Sequence, residues 1–147
     1  MDASEVVREV VGLYQLGETP VRWEVAAEPG IVVRARHDEL SEVLVNLFEN
    51  ARDAGATRVE VRAARSGRES AGPADQAARI EVRDDGRGIP AELLPRVFEP
   101  RFSTTTSGSG LGLAIARRLV EGWGGTIAIA STQGAGTAVT LRLAGPD

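Results

Sequence analysis

A chain of 147 residues, 42% hydrophobic and 26% charged, can bury a core as one domain, residues 1–147, and has the balance of a soluble globular protein. Its formal net charge of −4 speaks against a nucleic-acid binder, and no apolar run is long enough to span a bilayer or reads as a signal peptide. Cysteine is absent, which excludes disulfides and thiolate metal sites and agrees with a cytoplasmic location.

Val6, Val7, Val10, Val11 and Tyr14 recur at helical spacing, so an amphipathic helix is expected to open the chain and end near Gly17. Two short β-like runs follow, 21–27 and 31–35, separated by the turn signal Glu28-Pro29-Gly30. Residues 38–54 carry the strongest helical pattern. Leu40, Val43, Leu44, Leu47, Ala51 and Ala54 form its apolar stripe, and Gly55 is placed for a left-handed cap. Residues 57–63 alternate, Val59, Val61 and Ala63 against Arg58, Glu60 and Arg62, the mark of a half-buried strand. Residues 66–78 read as an exposed loop. Ile80 and Val82 open a further strand that ends in Asp84-Asp85-Gly86-Arg87-Gly88, and Pro90 starts a short helix reaching toward Phe98. After a loop over 99–109, Leu111, Leu113, Ala114, Ile115, Leu119 and Val120 form another helix, stopped by Gly122, Gly124 and Gly125. Strands at 126–130 and 137–143, joined by Gln133-Gly134-Ala135-Gly136, close the chain. Helices covering one face of a mixed, mostly antiparallel sheet make an α+β two-layer sandwich.

Three stretches carry candidate chemistry. On the 38–54 helix, Asn46, Glu49, Asn50 and Asp53 fall three and four apart on one polar face. A solvated face accounts for Glu49 and Asp53, but asparagines in mid-helix cost stability. Carboxamide oxygens one turn apart could share Mg²⁺ with a polyphosphate, since that ion takes few protein ligands. The Asp84-Asp85-Gly86-Arg87-Gly88 turn reads either as a plain turn or as a base site. In the second case a carboxylate at the strand end accepts from an exocyclic amine such as that of adenine. Gly108-Ser109-Gly110-Leu111-Gly112-Leu113 runs into a helix, where free N–H groups and the dipole favour phosphate. It is not the dinucleotide fingerprint, and a P-loop is excluded because all 17 basic residues are arginine. The preceding Ser103-Thr104-Thr105-Thr106-Ser107 has the composition of a mobile lid. Phe98 and Phe102 either pin its base or are core aromatics. Thr137 shares a strand face with Val139, Leu141 and Leu143, so its hydroxyl needs a partner, which a base, a water or a neighbour could supply.

In order and spacing these stretches resemble the GHKL ATPase superfamily, specifically the catalytic, ATP-binding domain of sensor histidine kinases. Asn46-Leu47-Phe48-Glu49-Asn50-Ala51 resembles the N box and Asp84-Asp85-Gly86-Arg87-Gly88 the G1 box. Phe98-Glu99-Pro100-Arg101-Phe102 resembles the F box and Gly108-Ser109-Gly110-Leu111-Gly112-Leu113 the G2 box. The resemblance covers roughly the whole chain and implies the Bergerat fold, with ATP and Mg²⁺ held between the N-box helix and a lid. It implies that Asn50 holds Mg²⁺ with Asn46 assisting, these two being the catalytic and metal-binding pair. Asp84 would bind the adenine amine, supported by Thr137 through water. Gly86, Gly88 and Ile89 would line the base, Asp53 would lie nearby, and Phe102, Thr104, Thr105, Gly108, Ser109, Gly110, Leu111, Gly112 and Leu113 would form the lid and phosphate end.

Gyrase-, chaperone- and mismatch-repair-type members have a glutamate at the position of Asn46, which here is a carboxamide and cannot act as a general base. Glu49, about 300° around the helix, is a poor substitute. Residues 50–57 are also similar to the mismatch-repair version, but the phosphate-sensing lysine and second domain of those ATPases are not in this sequence. The acidic Asp53 matches the nitrogen-regulation type of kinase. Thr106 stands where that branch commonly has a lid lysine, leaving Arg101 or the hydroxyls as substitutes. His37-Asp38-Glu39-Leu40 is similar to the start of an H box but lacks its proline and directly precedes the N-box helix, so His37 is expected to be an ordinary residue at a helix start. The resemblance therefore implies transfer of the ATP γ-phosphate to a histidine on a separate dimerisation domain, with a response regulator downstream. It implies low turnover alone, and no contact with nucleic acid or membrane by this domain. An anti-sigma-factor-type serine kinase and a non-catalytic nucleotide-binding module are the alternatives.

Overall fold

The computed structural model describes residues 1–17, 20–65, 76–99 and 112–145. In chain order they form α1 (Ala3–Gln15), β1 (Arg22–Ala27), α2 (His37–Asp53), β2 (Arg58–Arg65), β3 (Gln76–Asp84), a short 3-10 helix (Ala91–Arg96), α3 (Gly112–Gly122), β4 (Thr126–Thr132) and β5 (Gly136–Ala144). The sheet order is β1-β2-β3-β5-β4, with β1 and β2 parallel and every other pair antiparallel. This is the mixed, mostly antiparallel α+β sheet that the sequence implies.

Alternation divides the sheet into two faces. Val59, Val61, Ala63, Ile80, Val82, Val139, Leu141 and Leu143 turn inward and join one core with the helices. Glu60, Arg62, Glu81 and Arg83 alternate with them and form ion pairs on the other face, Arg83 with Glu81 at 3.3 Å and Arg62 with Glu60 among them. Surface pairs of this kind contribute little, whereas each fully buried Leu, Val or Phe contributes about 1.5–3 kcal/mol.

α2 is the central helix. Its expected stripe of Leu40, Val43, Leu44, Leu47 and Ala51 is buried, and so is Phe48, which the stripe omitted. Phe48 closes a trio with Tyr14 of α1 and Trp23 of β1, ring centroids 4.7–5.2 Å apart. Ala54 is only half-buried, because the stripe has by then run out to the end of the helix. Asp38 and Glu39 in the first turn favour the helix dipole, and Gly55 takes the expected left-handed conformation just past the end, φ +76°. Glu39 also accepts from Trp123 Nε1 at 2.8 Å, which ties the far end of α3 to the start of α2.

Three expectations need correction. Residues 31–35 are not a strand: Ile31 and Val33 are buried, but their backbone bonds go to Ala3 and Met1, and one isolated bridge joins Val32 to Asp2. The partner segment turns into α1 at Ala3, capped by Asp2, which accepts from Ser4 N at 2.9 Å, so no extended neighbour remains. The helix after Pro90 is 3-10; Pro95 has no N–H for a longer ladder, and Leu93 N bonds back three residues to Pro90. β3 begins at Gln76, inside the expected loop, because that residue is in register with Ala144 of β5.

Candidate nucleotide site

Asn46 and Glu49 depart in different directions from α2. Asn46 is half-buried beside the first turn of α3: a Cβ placed on Gly112 would lie 3.6 Å from Asn46 Cβ and 3.8 Å from its Oδ1. Asn50 follows one turn along, exposed, and Asp53 ends the helix, also exposed. Glu49 instead meets α1, accepting from the Tyr14 hydroxyl at 2.7 Å and from Arg52 at 3.1 Å. Burial, and then Glu49 itself, pushes the Tyr14 phenol well above its ordinary range, so it stays a donor. The expected single polar face of four residues is thus split.

The turn at 84–88 is held on three sides. β3 ends at Asp84, in register with Thr137 of β5, so both side chains project from the inward face. Gly86 N donates to Asp84 Oδ1 at 2.8 Å. Burial raises the Asp84 carboxyl, opposed by backbone donors from Gly86 and Thr137. Asp85 faces the start of β2, accepting from Thr57 N at 2.7 Å, Thr57 Oγ1 at 2.6 Å and Arg58 N at 3.0 Å. Those bonds hold its carboxyl below the usual range. Arg87 N donates to Ala54 O at 2.9 Å, and a Cβ on Gly86 would lie 2.8 Å from Ala54 Cβ, so the turn sits directly on the end of α2. On the third side is the β4–β5 hairpin. Gly134 N donates to Arg87 O at 2.6 Å and Ile89 N to Ser131 Oγ at 2.8 Å. Gly88, at φ +72°, lies so close to Thr132 that no side chain fits.

Asn46 thus meets Gly112, while Asp84, Gly86, Gly88, Ile89 and Thr137 gather at one end of the sheet. Leu113 is half-buried and packs against the core. Phe98 is half-buried with the Arg117 guanidinium 5.3 Å from its ring centre. The expectations for Arg101, Phe102, Thr104, Thr105, Thr106, Gly108, Ser109, Gly110 and Leu111 lie outside the described residues. His37 opens α2 at the surface, 3.2 Å from Glu9, as an ordinary helix-start residue would. Sequence reasoning missed Ser131, Ala54 and the clamping role of Asp85. The signal for Ser131 was its place on the same alternating face as Ile127 and Ile129, opposite Thr137.

Residues 35–146 match the family model described as histidine kinase-, DNA gyrase B-, and HSP90-like ATPase. The chain belongs to this family. The sensor histidine kinase ZraS of Escherichia coli K12 is 42% identical over 113 residues, 76% of this chain and 23% of that protein. The nitrogen regulation protein NtrY of Azorhizobium caulinodans is 33% identical over 149 residues, 99% of this chain and 19% of that one. Among solved structures, the mycobacterial sensor histidine kinase MprB superposes with a TM-score of 0.80 at 27% identity, covering 100% of this chain and 97% of that chain. This GHKL-type domain is therefore an ATP-binding domain of the sensor-kinase kind, and it spans about a quarter or less of the length of the curated relatives it matches.

Proposed function

We propose that this domain holds ATP along α2, with adenine at the 84–88 turn and the phosphates toward the first turn of α3. It then passes the γ-phosphate to the imidazole of a histidine on a separate dimerisation domain, in the same full-length protein or another chain. The observation that carries this reading is the division of α2: Asn46 stands by Gly112 while Glu49 is drawn to Tyr14. A carboxamide takes no proton from water, so the geometry favours transfer to an incoming nucleophile over hydrolysis.

Phosphoryl transfer asks mainly for positioning and charge neutralisation. Asp84, oriented by backbone donors, keeps acceptor capacity for the adenine amine, with Thr137 beside it. Asn46 and Asn50 are neutral oxygen donors one turn apart, and among the described residues no cluster of three His, Cys, Asp or Glu offers a competing cage. That donor set fits Mg²⁺, which keeps phosphate and water oxygens as its other ligands. Bound there, the ion would neutralise phosphate charge. The nitrogen-regulation relative supports the same branch, and a response regulator would receive the phosphoryl group from the histidine. The domain would work in the cytoplasm whether or not the full-length protein is anchored; no described helix is long and apolar enough to cross a membrane.

Incubating the domain with γ-labelled ATP and a histidine-bearing dimerisation domain tests the reading. Acid-labile label on the partner, lost with Asn50→Ala, is expected. Acid-stable label, or rapid phosphate release by the domain alone, would overturn it.

A further inference from the structure

Ser131 lies on β4, half-buried, with three partners around one hydroxyl. Ile89 N is 2.8 Å away, Gly136 O 3.0 Å and Thr137 Oγ1 2.8 Å. A serine hydroxyl has one proton and two acceptor positions. The Ile89 amide can only donate and the Gly136 carbonyl can only accept. One arrangement alone makes all three contacts hydrogen bonds: Ser131 gives its proton to Gly136 and accepts from both Ile89 and Thr137. The Thr137 proton is then engaged by Ser131, and the face that Thr137 turns to its surroundings carries lone pairs only.

Asp84, the cross-strand partner of Thr137, is likewise an acceptor once ionised. Two acceptors therefore stand side by side at the end of the sheet, and the Ile89 N–H beside them is already taken. Such a site suits a purine with an amine at position 6. A carbonyl there would face lone pairs with no proton to receive, and sites that leave a polar group unpaired reject the wrong ligand strongly.

We infer that Ser131 is a positioning residue that fixes Thr137 as an acceptor and so sets the preference for 6-amino over 6-oxo purines; this rests on the reading of the 84–88 turn as the base site. Without the Ser131 hydroxyl, Thr137 is free to rotate and donate, and a 6-carbonyl gains a partner.

The test is titration of ADP and of IDP, which has a carbonyl at position 6, into the wild type, Ser131→Ala and Ser131→Thr. The wild type should prefer ADP. Ser131→Ala should narrow the ratio of the two dissociation constants about tenfold, the worth of roughly one hydrogen bond. Ser131→Thr, which retains the hydroxyl, should restore it. On a Thr137→Val background, Ser131→Ala should leave the ratio where Thr137→Val alone puts it. Equal weakening of both nucleotides, with the ratio unchanged, would mean that Ser131 merely props the hairpin and would overturn the inference. A shift of the ratio on the Thr137→Val background would overturn it too. A wild type that ignores ADP, or binds ADP and IDP alike, would instead bring down the base-site reading itself. Should Ser131→Ala lose its native circular dichroism, Ser131→Cys replaces it under the same criterion, since a thiol is a weak donor and a weak acceptor.

Discussion

Gly55 and Gly88 have nearly the same backbone twist, φ +76° and +72°, in opposite surroundings. A Cβ on Gly55 meets nothing within 4 Å, while on Gly88 it would lie 2.1 Å from Thr132 O and 2.8 Å from the carbonyl carbon. Gly55→Ala therefore reads the left-handed backbone cost alone, about 1 kcal/mol once the stiffer unfolded chain is set against it. Gly88→Ala adds a collision with main chain, which cannot swing aside as a side chain can. The turn must lift from the hairpin, losing the Gly134–Arg87 bond at 2.6 Å and the Ile89–Ser131 bond at 2.8 Å. At about 1 kcal/mol each these make Gly88→Ala roughly 2 kcal/mol worse than Gly55→Ala, some 30-fold in the folding equilibrium. In urea, with a slope of about 2 kcal/mol per molar, the two midpoints should differ by roughly 1 M when followed by circular dichroism. ADP affinity should fall in Gly88→Ala and hold in Gly55→Ala. Coincident midpoints would refute the claim that the turn is clamped to the hairpin.

Adjacent aspartates should show opposite pH behaviour. Burial raises Asp84, so the folded domain keeps that proton to higher pH than the unfolded chain, and this group's contribution to stability falls as pH rises from 3.8 through the folded value. Asp84→Asn should remove that fall, read as a smaller loss of urea midpoint between pH 3 and pH 7, and should abolish ADP binding. Asp85 is lowered, so its stabilisation is complete above 3.8 and lost as pH drops through the folded value; Asp85→Asn should flatten acid unfolding instead. Tyr14→Phe removes the 2.7 Å bond to the half-exposed Glu49 and should cost about 1 kcal/mol. ADP affinity should stay unchanged, and a shift beyond about threefold would place Glu49 in the site. Phe48→Ala, emptying a fully buried ring position, should cost about 3–5 kcal/mol by the same denaturation assay.

The helices and strands were legible wherever the periodic pattern was long, as in α2 and in the alternating β2. What stayed hidden depended on partners. Residues 31–35 have strand composition, but whether an extended run becomes a strand is decided by what lies alongside, and there the neighbour turns helical at Ala3. Asp84 could be singled out from the sequence because it ends a strand beside a glycine turn, and Thr137 because it shares a strand face with Val139, Leu141 and Leu143. The same alternation places Ser131 on the inward face opposite Thr137 but gives it no role. A hydroxyl on a strand carries no motif, and its meaning comes from the three groups that converge on it from a turn and a neighbouring strand.

Glu49 shows what spacing leaves undecided. A step of three residues turns it about 300° from Asn46, or about 60° the other way, which makes it a poor substitute base while leaving it on the polar side with the asparagines. Its direction is set by Tyr14, which hydrogen-bonds it from one flank of α2 while α3 reaches Asn46 on the other. Tyr14 can do this because Trp23 and Phe48 hold its ring, and those are core residues with no chemistry of their own. The hydrophobic packing of α1 and β1 against α2 thus keeps a carboxylate directed away from Gly112 and the first turn of α3. On the proposed reading, that packing is what would let a carboxamide helix favour transfer over hydrolysis.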